Sequence, residues 1–128
     1  MSVVVEGVID LPHTDLSDTS TLHELLLFLL SLSILALNEW EYELTESGLK
    51  LTHKSRKYSW VEIRKDGIVR WDEHYKDTVK FKDELLRILR EFYPMFAKAK
   101  EIISKNSLKN YSLRYDKERE VLVLEAQE

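Results

Sequence analysis

The stretch Leu22–Leu37, LHELLLFLLSLSILAL, constrains this chain more than any other. Twelve of its 16 residues are apolar, and only His23, Glu24, Ser31 and Ser33 interrupt it. It is too long for an ordinary strand and has the length of a helix of four to five turns. Thr21-Leu22-His23-Glu24 has the form of a capping box, in which the Thr hydroxyl accepts from a backbone N–H near Glu24 and the Glu carboxylate accepts in return. Asn38, followed by strict alternation from Glu39, marks the expected end of the helix.

A membrane span is not expected from this segment. Crossing ~30 Å of hydrocarbon takes roughly 20 apolar residues, and a helix of about 16 residues reaches only about 24 Å. No Lys or Arg precedes Lys50, so a positive-inside flank and a basic signal-peptide n-region are both missing. The polar stripe is nonetheless thin. Glu24, Ser31 and Asn38 recur every seven residues, with Leu27, Phe28, Ile34 and Leu35 between them. A helix this apolar needs cover on more than one side. A sheet supplies one cover; another helix or another subunit must supply the second. A homodimer with Leu27, Phe28, Ile34 and Leu35 at its interface, or a place in a larger protein assembly, is therefore expected.

The length of 128 residues fits one domain with a real core. Cysteine is absent, which excludes disulfides and thiolate chemistry and points to a cytoplasmic setting. Charged residues make up 33%, while Asn, Gln, Gly and Pro are scarce, a composition that leans towards thermophiles.

The charge is unevenly spread. Residues 1–46 carry nine acids (Glu6, Asp10, Asp15, Asp18, Glu24, Glu39, Glu41, Glu43, Glu46) and no Lys or Arg. Residues 50–70 carry seven bases (Lys50, Lys54, Arg56, Lys57, Arg64, Lys65, Arg70) against Glu62 and Asp66. Either the two regions are neighbours in one sheet and pair across strands, or they form a surface for a charged partner.

Along the chain, Ser2–Ile9 reads as a strand and Asp10–Ser20 as a long loop holding His13, Asp15 and Asp18. Glu39–Thr45 alternates Trp40, Tyr42 and Leu44 with acids, a half-buried strand. Ser47-Gly48 is a turn and Leu49–His53 a short strand. Tyr58–Arg64 and Ile68–Tyr75 flank Lys65-Asp66-Gly67, a hairpin signal. Asp77 or Thr78 is a candidate cap for a second helix with Phe81, Leu85, Ile88, Leu89 and Phe92 inward. Pro94 is expected to kink or restart it before it runs on to Lys105. Residues 111–117 and 120–125 form a closing hairpin. The order is β-α-β-β-β-β-α-β-β, a single α+β domain with a mainly antiparallel sheet and both helices on one face.

No constellation carries catalysis. There is no H-E-x-x-H pair, no nucleophile elbow and no Gly-rich phosphate loop, so no cofactor is expected. Asp72 and His74, i and i+2 on an expected strand, share a face and offer two metal ligands, with His13 as a third; this supports only a minor reading as a small metal enzyme. A second reading is a nucleic-acid binder, because Lys50, Lys54, Arg56, Lys57, Tyr58, Trp60 and Arg64 interleave phosphate-binding cations with stacking aromatics. The sequence pI of about 5.6 argues against it. The leading reading is a non-enzymatic interaction protein.

From Tyr58 onward, the hairpin YSWVEIRKDGIVRW, the helix FKDELLRILREFYPMFAKAKEIISK with Phe92-Tyr93, and the closing hairpin follow one another in an order that resembles the DUF1257 family of small cyanobacterial and plastid proteins. The N-terminal strand, loop and helix keep the same order. The Gly-rich tails of that family are missing here. The resemblance implies an α+β sheet with helices on one face and carries over no functional residue.

Overall fold

A computed structural model describes residues 4–8 and 19–127. The elements are β1 (Val4–Val8), α1 (Thr19–Ser31), β2 (Trp40–Leu44), β3 (Gly48–His53), β4 (Trp60–Arg64), β5 (Ile68–Asp72), α2 (Lys76–Lys105), β6 (Tyr111–Asp116) and β7 (Val121–Ala126). The expected mixed α+β order is present. Most of the expected loop, including His13, Asp15 and Asp18, lies outside the described residues.

Strands β1 to β5 form one antiparallel sheet in the order β1-β5-β4-β3-β2. Period-two alternation assigns its faces. Leu49, Leu51, Val61, Ile63 and Val69 are at most 1% exposed and point to the side that both helices cover. α1 lies over β3, α2 over β4 and β5. The helices run antiparallel, as shown by Phe28 against Phe96 (ring centroids 5.7 Å apart) and by the Glu24–Lys100 ion pair. Leu22, Leu25, Leu26 and Leu29 of α1 are 0–2% exposed. Each such leucine contributes about 1.5–3 kcal/mol of burial free energy.

α1 is shorter than expected. It starts at Thr19, so Thr21 and Glu24 both lie inside it, and the carboxylate of Glu24 pairs with Lys100 instead of forming a capping box. It ends at Ser31, six residues before Leu37. The cause is local. Ser33 adopts φ 58, its N–H donates to Leu30 O at 3.1 Å, and Ile34 N–H donates to Leu29 O at 3.0 Å. That is a Schellman ending, with Ser at the left-handed position usually held by Gly. α2 ends the same way: Ser107 has φ 48, Ser107 N–H donates to Ser104 O (3.2 Å), and Leu108 N–H donates to Ile103 O (3.1 Å).

α2 is one continuous 30-residue helix that passes through Pro94, so the expected restart does not occur. Its N-cap is Tyr75, without a side-chain cap bond, rather than Asp77 or Thr78. The β4–β5 connection is a three-residue loop in which only Gly67 takes positive φ (84°), and Gly67 N–H donates to Arg64 O at 3.0 Å. Strands β6 and β7 do not extend the main sheet. They form a separate two-stranded ladder that packs on α2, with Tyr115 edge-on to Phe92 at 4.9 Å. An isolated hairpin is marginal in water, and α2 supplies the apolar support it needs.

Candidate interaction surface

The two helices cover only one face of the five-stranded sheet. The other face is lined by the residues between the core positions, and the strand registers place five charges in one row. Glu6 is opposite Arg70, Arg70 opposite Glu62, Glu62 opposite Lys50, and Lys50 opposite Glu43. From β1 across to β2 the signs alternate strictly: Glu6, Arg70, Glu62, Lys50, Glu43. The acidic first third of the chain thus meets the basic middle strand by strand, as cross-strand charge pairing favours.

The pairing is uneven along the row. Arg70 Nε stands 3.0 Å from Glu6 Oε1 and Arg70 Nη1 stands 4.0 Å from Glu62 Oε1. At the other end, Lys50 and Glu43 have no ion pair within 4.0 Å among the described residues. The Lys50 ammonium lies 5.2 Å from the ring centroid of Trp60, which is half-buried on the same face. Next to the row, Thr52 pairs across to Glu41 on one side and to Trp60 on the other.

The seven residues of the basic stretch divide in two. Lys50, Trp60 and Arg64 lie on the open face, as even-numbered neighbours of the core positions on β3 and β4. Lys54, Arg56, Lys57 and Tyr58 lie in the connection between those strands. There Arg56 is already engaged: its guanidinium pairs with Asp77 in the first turn of α2 and stacks 4.3 Å from the Tyr75 ring centroid. The hydrogen bond from Arg56 holds the Asp77 carboxyl below the usual carboxylate range. Arg64 is paired with Asp66 at 2.9 Å. The expected track of cations is therefore interrupted at Arg56 and Arg64, each of which faces a carboxylate.

Asp72 and His74 do not form the expected pair on a strand face. β5 ends at Asp72, whose Oδ1 accepts a hydrogen bond from His74 N–H at 2.8 Å and turns the chain towards α2. Asp72 is 0% exposed. The His74 ring packs edge-on against Tyr75, 4.7 Å between centroids. Among the described residues no three His, Asp or Glu side chains are placed to hold a metal ion.

The proposed helix interface is largely used within the chain. Leu35 is 4% exposed and belongs to the core, because the turn after α1 folds it back inward; it is not available to a second subunit. Phe28 and Ile34 are half-buried, and α2 is the second cover that α1 was expected to need. Leu27 alone of the four is well exposed, at 44%. No described helix is long and apolar enough to cross a membrane.

Cross-strand pairing of the acidic and basic regions was among the sequence expectations, but their alignment in a single row was not, because its members lie on five strands. The signal was present in part: Glu43, Lys50, Glu62 and Arg70 all sit at positions that alternate with apolar residues.

No protein-family model, curated protein or solved structure matches this chain.

Proposed function

We propose that this chain is a non-enzymatic interaction protein and that the sheet face left uncovered by the described residues is its docking surface. The observation that carries this reading is the contrast between the two sheet faces. One is sealed by two helices; the other presents a bounded pattern of both signs around a half-buried tryptophan. Such a pattern selects a partner with the complementary arrangement, since like charges brought together across an interface are strongly disfavoured. Trp60 supplies the kind of aromatic anchor that dominates interface energetics. A protein partner suits the face better than nucleic acid, because acids alternate with bases along it and would repel phosphate.

The test is affinity capture with three forms of the full chain: wild type, Trp60→Ala, and Lys98→Glu on the outward side of α2. The reading expects the Trp60 variant to lose protein partners that the Lys98 variant keeps. Equal retention by both variants would overturn it.

A further inference from the structure

The charge row also specifies a partner. We infer that a second copy of this chain docks face to face on the open sheet, across a two-fold axis parallel to the strands and lying between β3 and β4. This inference rests on the interaction reading above and names its partner.

The argument is one of symmetry. A dyad along the strands keeps each residue at its height and reverses the order of strands, so the row meets its own mirror order. If the dyad passed through a strand, every charge would face its like. If it passes between strands, every overlapping charge of this row faces its opposite, because the signs along the row alternate without a break. With the dyad between β3 and β4, Lys50 faces Glu62 of the other copy and Glu43 faces Arg70 of the other copy. This placement gives opposite charges to Lys50 and Glu43, the two members without an ion pair within 4.0 Å among the described residues. It also brings Trp60 and Thr52 beside the axis, where two sheets about 10 Å apart interdigitate. The contact is isologous and closes at two copies.

The overlap is four strands at about 4.8 Å spacing, which gives an interface at the small end of the specific range. A weak, concentration-dependent dimer that dissociates as salt rises is the expected form.

Sedimentation velocity on charge-reversed chains is the test. Lys50→Glu places two like-charged pairs across the dyad, and so does Glu62→Lys; each is expected to weaken self-association at least about tenfold. Mixing the two variants restores both pairs between chains while leaving each chain's own row broken, so a heterodimer is expected from the mixture. Glu43→Lys, which removes no ion pair within its own chain, is expected to weaken the dimer even where the other variants fold poorly. Thermal melts on each variant identify any loss of folding. A wild type that stays monomeric at high concentration, variants that dimerise as well as wild type, or a mixture of folded variants that does not pair would each overturn the inference. A monomeric wild type whose Trp60 variant still loses partners that the Lys98 variant keeps would overturn only the self-association and leave the docking face intact.

Discussion

Replacing Gly48 with alanine should weaken the sheet more than any other single methyl group added to it. Gly48 opens β3 with φ 156 and pairs with Arg64 of β4. A Cβ built there falls 2.1 Å from the Ile63 carbonyl oxygen and 2.9 Å from Arg64 Cα. Real Cβ atoms essentially never come within 3.0 Å of a neighbour, so β3 and β4 must part by about 1 Å at this end. Both clashing atoms are backbone, so no side chain can swing aside. The cost is the strained backbone plus part of the local ladder, about 2–4 kcal/mol. For a domain of this size that lowers Tm by about 10 °C. Gly7→Ala is the control. Its added Cβ lies 3.3 Å from the Trp71 ring edge, a side chain that can give slightly, and the expected cost is under about 1 kcal/mol. Thermal denaturation followed by circular dichroism measures both. A Gly48→Ala protein within about 0.5 kcal/mol of wild type would refute the close approach of β3 to β4 and the register built on it.

Further expectations concern the helix ends and one charge contact at the start of α2. Ser33→Gly and Ser107→Gly relieve left-handed serines in the two Schellman endings, and each should stabilise the fold by about 0.5–1 kcal/mol in urea denaturation. Pro94→Ala returns an N–H donor for the Arg90 carbonyl inside α2 and should add about 1–3 kcal/mol; a loss of stability would show that the proline ring makes packing that the helix needs. Asp77 has a folded pKa lowered from 3.8, chiefly by the Arg56 hydrogen bond. Its contribution is therefore present above pH 3.8 and is lost as pH falls through the lower folded value. Asp77→Asn should be less stable than wild type at neutral pH, with the gap closing in acid; a constant gap across that range would contradict the pairing.

The legible part of the fold was periodic. Leu22, Leu25, Leu26 and Leu29 announce a buried helix face, and Trp40-Glu41-Tyr42-Glu43 announces a half-buried strand, because both patterns repeat within a few residues. The end of α2 falls at Lys105 as expected, but the end of α1 was harder to read. Ser33 holds a position where glycine would have been a signal, so the early stop of α1 left no visible mark. Asp72 continues an alternating pattern that in the sequence runs on to Tyr75, yet its own side chain accepts a hydrogen bond from the His74 amide and ends the strand. A short-range pattern cannot reveal that competition. The charge row was the least legible feature. Glu6 and Arg70 are far apart in the chain, and only the register of β1 on β5 makes them neighbours. For the same reason the apolar excess of α1 pointed to a second subunit, whereas Phe28 finds its cover in Phe96 of the same chain.

The docking face is tested most directly by introduced cysteines, since the chain has none of its own. Thr52→Cys places a single thiol on the open sheet next to the Lys50–Glu62 row, and Lys98→Cys places one on the outward side of α2. With a short bis-maleimide linker, the Thr52 variant should yield covalent dimer that high salt suppresses, and the Lys98 variant should remain monomeric. Equal cross-linking of the two, or cross-linking of the Lys98 variant alone, would contradict the assignment of the open face as the surface where two copies of this chain meet.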